Sequence, residues 1–502
     1  MTETAPIETP EQRQSVLRTL RSPRHLKTEV LGGLVVAMAL IPEALAFSVI
    51  AGVDPRVGLF SAVTMAMTIA IVGGRPAMIS AATGAVALVI APLVASHGVS
   101  YLVAAVLLAG LLQILLSILG VGRLMRFIPR SVMIGFVSSL AILVAVAQLP
   151  ELVGVPWAVY AIAAAGLLIL FGLPKLTTAV PAPLVAIVVL TAVVVVAGIN
   201  VPTVADKGEL PTSLPGLLLP DVPWTLETLR TIFPYALSMA FVGLLESLMT
   251  AKLVDDVTDT RSNKTREAWG QGVANLVTGL FGGMGGCAMI GQTMINVKAS
   301  GARTRISTFL AGGFLLVLVM ALGDLVGLVP MAALVAVMLF VSLITFDWHS
   351  FAPSTLRRLP KSETAVMLAT VVVVVATHNL AIGVGVGVLA AMVAFARRVA
   401  HFVTVKRTVI GAGDAAIARY VVDGELFFAS SNDLYYQFSY AEDPERVVID
   451  MGGSHLWDAS TSAALDSVQA KYARLGKEAR IVGLNRASEL MRARLAGKLN
   501  AG

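Results

Sequence analysis

Glu43 and Glu246 are carboxylates set inside long apolar runs, "VAMALIPEALAF" and "LSMAFVGLLESLMT". A carboxylate in the hydrocarbon region is costly and usually marks an ion or proton pathway. The plainer alternative is a protonated acid hydrogen-bonding between helices. Two further stretches combine a broken backbone with hydroxyl and amide groups. In "GGRPAMISAATGAVALVIAPLV" (73–94), Pro76 blocks a helix through the start, "AMIS" reads as extended, and a helix can begin near Ala82–Thr83. In "LFGGMGGCAMIGQTMINV" (280–297), Gly282, Gly283, Gly285 and Gly286 precede an extended "CAMI" and a helix opening on Gly291, Gln292 and Thr293. A helix start offers unpaired N–H groups and about half a positive charge. Two aimed at one cavity make an anion site without any buried Lys or Arg. Ser80 and Thr83 on one side, and Gln292 and Thr293 on the other, would add donors, and no cation falls near the centre of any apolar run. A carboxylate beside an arriving anion favours its neutral form. The chemistry within reach is therefore anion binding with proton uptake at Glu43, Glu246 or both.

Such groups need elements to hold them, and the composition says which. Of 502 residues, 57% are hydrophobic and only 14% charged, where soluble domains run near 25% charged. Mean hydropathy is +0.83. Runs with few or no charges are the pattern of membrane-spanning helices of about 20 residues. Fourteen apolar segments can be read: 30–50, 57–72, 76–95, 101–119, 128–148, 158–171, 182–198, 233–253, 268–281, 285–298, 307–322, 329–345, 363–378 and 380–399. Basic clusters follow only even-numbered segments, as with Arg123, Arg126 and Arg130, with Arg261, Lys264 and Arg266, and with Arg357, Arg358 and Lys361. Exits from odd-numbered segments are poor in cations, and the 199–230 loop sets Asp206, Glu209, Asp221 and Glu227 against Lys207 and Arg230. Cytoplasmic loops collect Lys and Arg, so the expectation is fourteen spans with both termini cytoplasmic, in the cell (inner) membrane. The basic pI of about 9.5 is explained by this topology, not by nucleic acid. The polar, acidic start reads as a cytoplasmic segment, 1–28, not a cleavable signal.

Segments 1–3 and 8–10 repeat one plan. From Glu43 to Thr83 is 40 residues, and from Glu246 to Gln292 is 46. Seven spans is an odd number, so the second half would run inverted, and the two broken segments would enter from opposite sides. Paired breaks in corresponding positions point to the binding site of an inverted-repeat transporter. Glycines at helix crossings also let backbones pack closely, but the pairing of two such breaks favours a site. After about residue 405 the composition changes. "AIARYVV" and "GELFFAS" read as strands, "NDLYYQFSYA" as helix, "RVVIDMGG" as a buried strand, "TSAALDSVQAKYARLG" as an amphipathic helix, "EARIVGL" as a strand and "SELMRARLAGKL" as a last helix. Alternation of this kind makes a small α/β domain.

Together these residues resemble the sulfate permease (SulP) anion transporters, whose animal relatives include prestin and pendrin. The resemblance spans about 15–500 and is carried by "LIPEALAFSVIAGVDPRVGLFSA", "ISAATG" and "GLLESLMTAKLVDD…GQGVANLVTGLFGGMGG". The C-terminal domain, 406–500, is similar to a STAS domain. The resemblance implies an α-helical polytopic membrane protein of fourteen segments in a 7+7 inverted repeat. Within residues 29–400, segments 1–4 and 8–11 would form a core domain and segments 5–7 and 12–14 a gate domain, in a homodimer. It implies a substrate cavity lined by Glu43, Phe47, Thr83, Glu246, Thr250, Met289, Ile290, Gly291 and Gln292. Four positions depart from the family pattern. Glu43 stands where many members have Gln, and Glu246 where sodium-coupled bicarbonate members have Asp. Met289 and Ile290 replace small or hydroxyl residues of their sodium site, and Gln292 replaces an Arg of several animal members. These departures favour proton over sodium coupling. The expected substrate is a small anion of the dicarboxylate, bicarbonate or sulfate class, with no metal and no cofactor. The apolar Phe47, Met289 and Ile290 lean towards a carboxylate.

Within the STAS-like domain, Ser460 aligns best with the phosphorylated serine of bacterial anti-sigma antagonists. A plain helix N-cap at Ser460 or Thr461 is the simpler reading. Two rival functions share the membrane plan. A nucleobase–proton symporter would use Glu43 or Gln292 to read a polar ring edge, but that family generally lacks a STAS-like tail. A passive anion channel or exchanger would have little use for the two glutamates. An enzyme is not expected, because the six His residues are scattered at loops or ends and Cys287 is the only cysteine.

Overall fold

The computed structural model describes residues 14–124, 128–176, 181–208, 213–400, 403–428, 430 and 434–495. Arg126, Glu209, His401 and the start of the N-terminal segment lie outside them. The chain divides into two compact units, Met1–Val388 and Leu389–Gly502.

The first unit is helical. It opens with α1 (Val16–Arg21), α2 (Pro23–Ala51), α3 (Pro55–Val72), the two-residue strand β1 (Ser80–Ala81) and α4 (Gly84–Ile118). A single turn, α5 (Val121–Leu124), leads to α6 (Arg130–Val146), α7 (Trp157–Leu176) and α8 (Ala182–Ala197). The second half holds α9 (Leu226–Thr258), α10 (Lys264–Leu280), strand β2 (Cys287–Ala288), α11 (Ile290–Met294), α12 (Arg305–Gly327) and α13 (Met331–Thr345). Short α14 (Trp348–Phe351) and α15 (Pro353–Leu356) precede α16 (Lys361–Thr377) and α17 (Leu380–Ala400), which runs across the boundary between the units. The apolar segments fall on these elements, the third on β1 and α4 and the tenth on β2 and α11. Among the described residues, eight helices are long and apolar enough to cross a membrane, and α8 and α13 are shorter apolar helices. Segments 3 and 4 share α4, parted at Gly98, whose φ of 80° suits only glycine.

Two sets of helices pack among themselves. In one, α4 lies against α9 and α10, α12 against α2 and α3, and α10 against α3. In the other, α16 and α13 lie against α6, and α13 and α8 against α7. Their shared core is apolar and fully buried, with Leu40, Leu45, Leu59, Ile79, Ile90 and Phe136 in it. Several helix starts are satisfied by side chains. Thr225 and Asn263 accept from the first turns of α9 and α10, and Glu29 accepts from the N–H groups of Arg303, Thr304 and Ser307 at the start of α12. Such pairing is required where no water reaches, because each unpaired backbone group costs several kcal/mol there.

The second unit carries a four-stranded sheet in the order β3 (Thr404–Ile410), β4 (Ile417–Leu426), β5 (Arg446–Leu456), β6 (Glu478–Val482). β3 and β4 are antiparallel, and the other pairs are parallel. Helices α18 (Ala459–Arg474) and α19 (Arg486–Leu495) accompany it. Burial alternates along β5, so Val447, Ile449 and Met451 face a core with Tyr420, Leu465 and Tyr472. Two readings of this unit are corrected. "AIARYVV" and "GELFFAS" do not make two strands: residues 417–426 form one, with a register shift between Val421 and Asp423 at the turn-like "DG". Of "NDLYYQFSYA", Asn432 and Asp433 lie outside the described residues and Leu434 is helical, but the helix does not continue through the rest. After Leu434 it passes into a 3₁₀ turn, Tyr435–Gln437, and ends there because Phe438 and Tyr440 are drawn into the core beside Tyr420 and Tyr472. Ser460 is exposed in the first turn of α18, and the cap is Asp458, which accepts from Thr461 N at 3.0 Å.

Candidate substrate site

The two broken segments meet. β1 and β2 pair antiparallel, with Ser80 opposite Ala288 and Ala81 opposite Cys287. Each strand feeds a helix: β1 leads to α4, capped by Thr83, and β2 to α11, which continues without a break into a turn of π-helix, Ile295–Ala299. This antiparallel meeting of two like units is the relation an inverted repeat requires. The glycines allow the approach. A Cβ on Gly286 would run into the Ala81 carbonyl, and Gly285 has φ 75°. A polar lattice then pairs the non-helical backbone. Asn275 Oδ1 accepts from Gly286 N at 2.9 Å while its Nδ2 donates to Gly286 O at 3.0 Å. Ser247 Oγ accepts from Ala288 N at 3.1 Å, and Gln271 Nε2 donates to Ser80 Oγ at 2.7 Å.

A cavity of about 250 Å³ opens at the helix starts. Glu43, Phe47, Thr83, Met289, Ile290, Gly291 and Gln292, with Glu246, all line it. The opposite wall is mostly apolar and comes from α6, α8 and α13, with Phe136, Leu140, Val144, Pro183 and Phe340, and with the hydroxyl residues Ser342 and Thr345. No Lys, Arg or His lines it, and no group of His, Cys, Asp or Glu among the described residues could hold a metal ion. Gln292 Nε2 donates to Glu43 Oε1. On the other side, Cys287 Sγ lies 3.0 Å from Glu246 Oε2 and 3.1 Å from Thr83 Oγ1.

Three expected donors do not reach the cavity. Ser80 is taken by Gln271, Thr293 Oγ1 accepts from Ile79 N at 3.0 Å, and Thr250 Oγ1 donates to the Glu246 carbonyl at 2.7 Å. Strand pairing and helix geometry turn Thr293 and Thr250 towards backbone and Ser80 towards Gln271, so they brace the site instead of lining it. Sequence reasoning missed the brace itself. Glu267, Gln271 and Asn275 recur every fourth residue, a polar stripe on one face of α10 that could have been read. The apolar wall from α6 and α13 carries no such signal, because a cavity-facing Leu in a membrane helix looks like a lipid-facing one.

The sulfate permease family model matches residues 26–159 and 155–370, and the STAS domain model matches 413–497. The chain belongs to the sulfate permease family. Among similar proteins, YbaR of Bacillus subtilis (strain 168), provisionally named a sulfate transporter, is 52% identical over 472 residues, covering 94% of this chain and 97% of that one. The transmembrane domain of a cyanobacterial bicarbonate transporter, BicA, matches at TM-score 0.64 and 28% identity, over 72% of this chain and 98% of that one. The murine Solute Carrier 26 family member A9 anion transporter, in its inward-facing state, matches in fold at TM-score 0.82 and 15% identity, over 98% of this chain and 92% of that one. The permease is thus a multi-pass membrane transporter with a C-terminal STAS domain, not an enzyme, and the nucleobase symporter reading is set aside.

Proposed function

We propose that the permease is a proton-coupled symporter of a small anion, working by alternating access. The observation that carries this is the cavity itself. Two helix starts and two carboxylates converge on it, and no cationic side chain lines it. The N–H groups at the starts of α4 and α11 bind the anion. An ionised glutamate about 4 Å from that anion repels it by a few kcal/mol at an effective dielectric near 20. Protonation removes the repulsion, so anion and proton bind together. Glu246 is the main coupling group and Glu43, held by Gln292, the second. The mostly apolar wall favours a small carboxylate or dicarboxylate over sulfate, since a carbon skeleton gains from apolar contact and sulfate has none. The helix set of segments 1–4 and 8–11 carries the site and moves against the set of segments 5–7 and 12–14. The protein works in the cell (inner) membrane, with both termini cytoplasmic, as a homodimer.

Uptake into proteoliposomes across a panel of labelled dicarboxylates, bicarbonate and sulfate tests this. Uptake should rise as external pH falls and should not need sodium. Glu246→Gln should retain anion exchange yet lose accumulation driven by a pH gradient, and Gln292→Leu should abolish binding. If Glu246→Gln still concentrates substrate under a proton gradient, Glu246 is not the coupling group.

A further inference from the structure

Cys287 is fully buried, does not line the cavity, and has no part in the transport scheme above. Yet its sulfur bridges two groups that do. It lies 3.0 Å from Glu246 Oε2 and 3.1 Å from Thr83 Oγ1. Thr83 Oγ1 in turn accepts from Val86 N at 3.4 Å and caps α4. Glu246, Cys287, Thr83 and the start of α4 therefore form one hydrogen-bonded chain. We propose that Cys287 is a positioning residue that passes the protonation state of Glu246 to the Thr83 hydroxyl. This rests on the symport reading.

The argument follows from donor and acceptor counts. An ionised carboxylate only accepts. With Glu246 ionised, the Cys287 S–H must point at it, and the sulfur is left to accept from the Thr83 O–H. The Thr83 hydrogen is then turned away from the cavity. With Glu246 protonated, the carboxyl O–H donates to the sulfur, the S–H turns to Thr83 Oγ1, and the Thr83 hydrogen is released towards an anion at the start of α4. Thr83 Oγ1 can accept from both Val86 N–H and the thiol. One proton enters, on Glu246; every other hydrogen stays on its own atom and only rotates. The anion gains a donor when the proton is aboard, and by linkage a bound anion favours the protonated carboxyl equally.

Few other groups could produce this response. Glu43 and Gln292 face Glu246 across the cavity and are bonded to each other. Of the elements packed against α9, α4 carries only His97 and Tyr101, beside the Gly98 break, and α11 has no titratable residue. The titratable residues of α10 are Lys264, Arg266 and Glu267, all in its first turn. β2 contributes Cys287 alone.

Because Cys287 is the only cysteine of the chain, its S–H stretch in the infrared reports this bond directly. The test uses the full-length protein in proteoliposomes between about pH 5.5 and 8, with labelled sulfate and oxalate. Both probes stay fully ionised there, so any pH response belongs to the protein. The wild-type S–H band should shift with pH and lose that response in Glu246→Gln. Wild-type affinity should rise on acidification as the repulsion at Glu246 is relieved, with about ten-fold more from the Thr83 donor, the worth of one good hydrogen bond. Cys287→Ala should lose the hydrogen-bond share, leaving a rise about ten-fold smaller than that of the wild type, and Cys287→Ser, which keeps a donor and an acceptor, should restore it. A wild-type S–H band that ignores pH, or a Cys287→Ala protein with the full pH response, overturns the proposal and leaves proton coupling standing. A wild-type protein whose affinity and uptake both ignore pH overturns the symport reading and this inference with it.

Discussion

Ala77 holds a left-handed backbone, φ 61°, although it is not glycine and is buried in the approach to β1. Asn296 Nδ2 fixes it there by donating to its carbonyl at 2.9 Å. Left-handed geometry costs an alanine roughly 1–2 kcal/mol. Ala77→Gly would relieve that, but it frees the unfolded chain by about 0.4–1 kcal/mol and removes a buried methyl worth about 0.8 kcal/mol. The terms nearly cancel, so Ala77→Gly should leave thermal stability in detergent within about 1 kcal/mol. Ala77→Val should lower it by about 2 kcal/mol or more, because a β-branched side chain suits this region far less. A neutral valine variant would show that the surroundings do not enforce the turn. At this scale the sequence was most readable. Glu43, Glu246, Thr83 and Gln292 stand out as polar groups in apolar runs. Ala77 does not, since its strain is a property of the fold around it.

The pairing of β1 with β2 belongs to the next scale. Each strand is two residues long and could not persist alone. They hold because Asn275, Ser247 and Gln271 saturate the backbone around them and Gly286 lets them close. Gly286→Val should therefore misplace both helix starts at once. We expect loss of anion binding and a lower melting temperature, with overpacking of a tight core costing about 1–3 kcal/mol. Gly291→Ala is the control for stability, because a Cβ there meets nothing within 4 Å. Equal melting temperatures for wild type and Gly286→Val would contradict the close approach. The break in each segment was legible from Pro76 and the glycines. Their mutual pairing across some two hundred residues of chain was suggested only by the repeat.

For the whole molecule, two expectations concern orientation and assembly. Ser96 lies beside the Gly98 break in α4, while Arg261 and Arg358 stand in basic loops. With both termini cytoplasmic, a cysteine at Ser96 should react with an impermeant thiol reagent from outside. Cysteines at Arg261 or Arg358 should react only after permeabilisation, and native Cys287 should stay silent because it is buried. The reverse pattern would invert the topology. The α/β unit has its own hydrophobic core around Tyr420, Ile449 and Leu465. A chain ending near residue 405 should therefore still fold in its membrane part, with reduced transport and little change in substrate affinity. Complete loss of binding in a well-folded truncated protein would show that the STAS domain completes the site.

The membrane class, the helical segments, the two broken ones and the carboxylates can all be read from residue order. These follow from local chemistry: hydrocarbon excludes charge, proline and glycine interrupt helices, and a buried carboxylate is conspicuous. Tertiary structure decided which polar groups face the cavity and which brace it. Ser80, Thr250 and Thr293 carry the same hydroxyl chemistry as Thr83, but strand pairing and the helix turn direct Thr250 and Thr293 to backbone partners and Ser80 to the Gln271 amide. It also decided the apolar wall, because α6 and α13 reach the cavity only through packing against elements distant in the chain. The link from Glu246 through Cys287 to Thr83 has the same origin. Its three members come from α9, β2 and the cap of α4, and no spacing within one segment could have joined them.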